Sequence, residues 1–148
     1  MATYTQILYQ IVFSTKYAEN TMQLNNSDKL YRYIRGVLKN KKCILYGING
    51  TENHLHIITH IHPAIAVSDI VKDIKVSSSG WIKQENIFPE FTFWQEGYGA
   101  FTYHINQKDV LLNYVKKQRE HHRVITFREE YRILLNEHGI EFDEKYLL

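Results

Sequence analysis

Two histidines stand on alternate positions in Glu52-Asn53-His54-Leu55-His56-Ile57-Ile58, a stretch with the composition of a strand. Side chains alternate faces along a strand, so His54 and His56 share one face while Leu55 and Ile57 take the other. Two neutral imidazoles are a ligand pair for a borderline or hard divalent ion, and they leave room for a third protein ligand and a substrate oxygen. A helix of about Gln107 to His122 offers that ligand: Tyr114 and Gln118 are neighbours on one face, and His121 follows one turn on. Leu111, Val115 and His122 lie nearer the middle of its apolar stripe, which leaves Tyr114 at the edge, packed yet able to reach outward. Docked over the histidine pair, this face would bring Gln118 to the ion and Tyr114 to a phosphate held there.

The elements that must position these groups are readable in order. Tyr4 to Ser14 reads as a strand buried on both sides for part of its length, and Ser27 or Asp28 caps a helix running to about Asn40. Cys43 to Ile48 and His54 to Ile61 form a hairpin about Asn49-Gly50, with Pro63 ending the second arm. Ser68 caps a second helix, Asp69 to about Val76; Ser77-Ser78-Ser79-Gly80 interrupts it, and Trp81 to Gln84 resumes it. Phe91 to Ile105 is rich in strand formers, Asn106 caps the third helix, and Thr126-Phe127-Arg128-Glu129 with Gly139 brackets a fourth. Strand, helix, strand, strand, helix, strand and then appended helices describe an α+β fold, a ferredoxin-like split βαβ sandwich with an antiparallel sheet.

At 148 residues and 44% hydrophobic content the chain is expected to form one domain, residues 1–148, with a real core. It has no run of about 18 apolar residues and no leader-like start, so the expectation is a cytoplasmic protein without membrane partners. The single cysteine, Cys43, excludes an intrachain disulfide and a cysteine zinc site. The net charge is only +2, yet Lys29, Arg32, Arg35, Lys39, Lys41 and Lys42 run without an acid and are interleaved with Tyr31 and Tyr33. Basic residues among eleven tyrosines suit single-stranded nucleic acid, although a solvated helix face explains the charge run equally well. The tail reverses the balance, with Glu129, Glu130, Glu137, Glu141, Asp143 and Glu144 against Arg128, Arg132 and Lys145.

Over nearly its whole length the sequence resembles the single-tyrosine HUH transposases of small bacterial insertion sequences and their REP-associated relatives. The resemblance rests on His54-Leu55-His56, on Ile11-Val12-Phe13-Ser14-Thr15-Lys16, on Trp94-Gln95-Glu96-Gly97-Tyr98-Gly99-Ala100-Phe101, and above all on Tyr114-Val115-Lys116-Lys117-Gln118-Arg119-Glu120-His121-His122. It implies the HUH endonuclease fold, with a core of about 4–122 and a C-terminal helix and tail of about 123–148. It also implies strand transfer through a tyrosine linked to a 5′ phosphate, with Tyr114 as nucleophile and His54, His56 and Gln118 holding one Mg²⁺ or Mn²⁺. The implied partners are single-stranded DNA with hairpins at element ends and a second copy of the chain, in a homodimer whose active sites could be composite.

Candidate DNA contacts are Lys16, Arg32, Arg35, Lys39, Lys117, His121 and His122, the two histidines serving either phosphate or the helix dipole. Asn53 stands where an aspartate commonly precedes the histidine pair in that family, and its amide can still hydrogen-bond an imidazole. His60 and His62 continue the alternation, but His60 lies roughly 13 Å from His56 at about 3.3 Å per residue, too far to share an ion. A hydrolytic nuclease using the same ligands with water, and a domesticated hairpin-binding protein without chemistry, are the competing classes.

Overall fold

The computed structural model describes residues 1–147. Four antiparallel strands, β1 (Leu8–Ser14), β2 (Ile44–Gly50), β3 (His54–His60) and β4 (Gly99–Tyr103), form one sheet in the order β2-β3-β1-β4. Helix α1 (Ser27–Asn40) connects β1 to β2, and α2 (Val67–Gln84) connects β3 to β4. Both lie on one face, where Leu30, Ile34, Leu38, Ile70, Ile74 and Ile82 pack against Ile11, Phe13, Leu55 and Ile57. The C-terminal helices α3 (Lys108–Lys116), α4 (Gln118–His121) and α5 (Phe127–Glu137) follow β4. On the opposite sheet face, α3 packs against Leu8 and Ile58, and α5 against Val12 and Phe101. The result is a mixed α+β fold with a central antiparallel sheet and appended C-terminal helices.

Several boundaries differ from the sequence expectation. β2 runs on through Asn49 and Gly50, and the reversal falls at Thr51-Glu52-Asn53, with Thr51 N donating to the His54 carbonyl. A Cβ on residue 50 would collide with that carbonyl oxygen, which explains a glycine there. Ser77–Gly80 does not break α2: Ser77 Oγ returns to the Asp73 carbonyl one turn back, and Ser78 is buried as the acceptor of Trp94 Nε1 at 3.0 Å. The strand before α3 shrinks to Gly99–Tyr103, with Trp94 making only an isolated bridge to Thr15. His104, rather than Asn106, caps the turn Ile105–Gln107 that leads into α3.

The expected continuous helix to His122 is in fact two. Asn49 Nδ2 donates to the carbonyls of Val115 and Lys116 at 3.1 and 3.2 Å, while Lys117 takes φ −92° and ψ 13°. A side chain inserted into the helical ladder diverts its carbonyls and bends the axis. Asn49 therefore sets the direction in which residues 118–122 leave α3.

Candidate metal centre and tyrosine site

β3 places His54 and His56 on the α3/α5 face of the sheet, both without solvent exposure. Each imidazole is oriented from behind. His54 Nδ1 lies 2.8 Å from Asn53 Oδ1 and 3.0 Å from Thr51 Oγ1, and His56 Nδ1 lies 2.7 Å from Gln10 Oε1. Gln10 reaches it diagonally from β1, where it pairs with Ile58. An amide oxygen can only accept, so Nδ1 of each ring carries the proton and Nε2 presents a lone pair to the interior. Burial, reinforced by His56 and His122, keeps the His54 imidazole well below its ordinary range and hence neutral.

Five acceptor atoms converge there. Glu130 Oε1 is 3.0 Å from His56 Nε2, 2.9 Å from His122 Nε2 and 3.6 Å from His54 Nε2. Gln118 Oε1 lies 2.9 Å from His54 Nε2, and Gln118 Nε2 donates to Glu130 Oε2 at 2.8 Å, which fixes the amide with its oxygen inward. His54, His56, His122 and Glu130 offer ligand atoms all within 4.8 Å of one another. Ligands about 2.0–2.1 Å from one tetrahedral ion are separated by about 3.3 Å, so the observed spacings suit a divalent cation. Lone pairs aimed at one another in a buried space repel unless a proton or a cation stands between them. The residues present therefore fit a metal ion.

The tyrosine meets this cluster within the same chain. Tyr114, half-buried on α3, donates its hydroxyl to Glu130 Oε2, and its ring stands edge-on to His56 with centroids 5.9 Å apart. Burial first, and then the Glu130 charge and hydrogen bond, push the phenol well above its ordinary range. His121 Nε2 is 3.7 Å from the same carboxylate oxygen and is 40% exposed. Tyr114, His121, Glu130 and Gln10 line a cavity of about 540 Å³ between α3 and α5. A second cavity of about 560 Å³ opens beyond His122, lined by Arg119, Arg123, Asn53, Thr126 and Phe127.

Tyr114, Gln118, His54 and His56 are thus brought together. His122 turns inward, 10% exposed, with its ring centroid 4.3 Å from that of His54, so it belongs to the cluster rather than to an outer phosphate surface. Arg32, Arg35 and Lys39 are exposed on α1, across the sheet from the site, and are not brought to it. Lys117 is exposed at the α3/α4 break, and Lys16 lies in a turn whose neighbours Thr15 and Ala18 bond to Asn53. His60 Nδ1 accepts from Ile7 N at 3.0 Å, a structural role that suits its distance from the pair.

Sequence reasoning missed Glu130, which it counted among the acids of the tail. The available signal is its place on α5: Phe127, Glu130 and Leu134 follow helical spacing along the buried stripe, and only one of them is charged. Gln10 carries the same kind of mark, a polar residue inside the buried run Ile11-Val12-Phe13 and its neighbour Leu8.

Residues 3–118 match the family described as Transposase IS200 like. The chain belongs to this transposase family. A candidate transposase from Deinococcus radiodurans R1 has a crystal structure that superposes with a TM-score of 0.63. The two chains share 17% identity, over 80% of this chain and 95% of that one. A REP-associated tyrosine transposase bound to a REP hairpin superposes at 0.62, with 12% identity over 82% of this chain and 72% of that one. No match to a protein of curated function was found. In this IS200-like transposase the His/His/His/Glu cluster supports a metal-dependent nuclease or transposase activity, and two of its four members, His122 and Glu130, lie beyond the matched stretch. Among the described residues no helix is long and apolar enough to cross a membrane.

Proposed function

We propose that the protein cuts and rejoins single-stranded DNA through a 5′-phosphotyrosine intermediate, with Tyr114 as nucleophile and His54, His56 and Gln118, joined by His122 and Glu130, as the metal-holding set. The observation that carries this reading is the contact of the Tyr114 hydroxyl with a carboxylate that also faces both histidines of the pair. A sheet of order β2-β3-β1-β4 with crossover helices on one face is what a ferredoxin-like HUH core requires, and we adopt that description. A divalent ion held there supplies Lewis-acid polarisation of a non-bridging phosphate oxygen.

The chain's own groups do the rest. Tyr114 Oη forms a bond to phosphorus as the bond from phosphorus to the 3′ oxygen breaks, leaving a 3′ hydroxyl once that oxygen takes a proton from solvent. The phenol proton already points at Glu130 Oε2, the direction in which it must leave. A second 3′ hydroxyl attacking the phosphotyrosine reverses the step without consuming water or ATP. Since Tyr114 lies against its own chain's histidines, one chain holds a full set of groups, and a homodimer is not required to assemble them.

Membership of a DNA transposase family carries DNA as the partner, and hairpins at element ends are the substrate we infer. The donor set favours Mn²⁺ over Mg²⁺, because three imidazoles suit a transition ion better than a strictly oxygen-seeking one. Oligonucleotides copied from both strands of the DNA flanking the gene, incubated with protein and Mn²⁺ or Mg²⁺, test the reading on a denaturing gel. A metal-dependent covalent protein–DNA band that is absent with Tyr114→Phe is the expected result. Cleavage without an adduct, unchanged in Tyr114→Phe, would indicate hydrolysis by water, and hairpin binding without either product would indicate a binding protein.

A further inference from the structure

Glu130 comes from α5, a helix anchored by its own core. Phe127, Leu134 and Leu135 pack with Val12 and Phe101, and the Phe127 ring stacks on His54 at 4.4 Å. The carboxylate is 1% exposed, and burying a charge so completely is strongly unfavourable unless both oxygens are well partnered. Glu130 divides them between two tasks. Oε1 faces the imidazoles of His54, His56 and His122, whereas Oε2 accepts from the Tyr114 hydroxyl and from Gln118 Nε2. A carboxylate is rigid and planar, so whatever draws one oxygen moves the other. The hydroxyl is held from the cluster side while the ring lines the open cavity between α3 and α5.

We propose that Glu130 is a positioning residue that ties the Tyr114 phenol to the metal centre, so that filling the centre sets where the hydroxyl stands. The functional consequence rests on the reading of Tyr114 as nucleophile, whereas the coupling itself can be measured without cleavage. A fluorotyrosine placed at position 114 gives a single fluorine resonance to follow as Zn²⁺, a diamagnetic ion suited to imidazole and carboxylate, is titrated in. The resonance is expected to shift and saturate as the site fills in the parent chain. It should lose most of that shift in Glu130→Ala, where calorimetry reports zinc still bound by the histidines.

Glu130→Gln, which keeps the shape and an acceptor for the phenol, is expected to retain a reduced shift and carries the same comparison if Glu130→Ala does not fold. A resonance that fails to move in the parent, or moves equally in the folded variant, overturns the proposal. At saturating Mn²⁺, adduct formation by Glu130→Ala should fall by about 10–100-fold, the loss typical of removing a group that orients a metal site. An unchanged or faster rate also overturns it, a faster one meaning that the carboxylate obstructs the phosphate. Failure of the phosphotyrosine reading looks different: Tyr114→Phe would then cleave normally while the fluorine shift persisted.

Discussion

The hydroxyl of Tyr114 donates to the carboxylate of Glu130, a residue 16 positions further along on another helix, and the same carboxylate faces His54 and His56. The tyrosine and the candidate metal cluster are thereby joined through one buried side chain. Because one chain brings these groups together, activity is expected to persist at dilutions where sedimentation reports only monomer. Dependence of the adduct rate on protein concentration, at fixed saturating DNA, would instead require a partner.

Tyr114→Phe should abolish the covalent adduct and leave metal affinity nearly intact, because the phenol is not among the converging ligand atoms. One hydrogen bond to a charged acceptor is lost, so stability should fall by about 1.5–3 kcal/mol. Gel analysis paired with urea unfolding separates the two effects.

Metal affinity should divide the histidines from the tyrosine. His56→Ala and His122→Ala are each expected to weaken Mn²⁺ binding by at least ~10-fold in calorimetry, and Mn²⁺ should bind more tightly than Mg²⁺. An unchanged affinity in His122→Ala would remove this residue from the ligand set.

The pH dependence has a definite sign. His54 is held below its unfolded value by burial, so the folded state binds fewer protons than the unfolded chain. Metal-free stability is therefore complete above ~6.5 and declines as pH falls below it. Glu130 adds a second loss at lower pH. Burial alone would raise its carboxyl, but the imidazoles of His122 and His56 that face it, together with the hydrogen bond from the Tyr114 hydroxyl, outweigh that and hold it well below the usual range. Its contribution is present above ~4.3 and disappears below. Urea midpoints should thus fall in two stages.

Arg119 and Arg123, one helical turn apart, line the cavity beside His122 and are both exposed. They share that cavity wall with a member of the cluster, and single-stranded DNA should cross them. Replacing either with alanine is expected to weaken oligonucleotide binding about equally for all sequences and to lower the salt slope by about 1. A variant altered for one sequence only would indicate base contact instead.

The sequence alone determined the features that follow local periodicity. Alternation along β3 placed His54 and His56 together on one face, helical spacing placed Tyr114 beside Gln118, and Thr126 and Gly139 marked the limits of α5, where Thr126 Oγ1 indeed accepts from Glu129 N and Gly139 takes φ +66°. The order of strands and helices followed from the same patterns. What lay beyond reach depends on residues far apart in the chain. The bend at Lys117 is made by an asparagine 66 residues before Val115, and neither segment records it alone. Glu130 reads as one more acid in an acidic tail until α5 folds over the sheet and carries it to His56, 74 residues away in sequence. A period fixes which face a side chain takes; only the packing of one element on another fixes what that face meets.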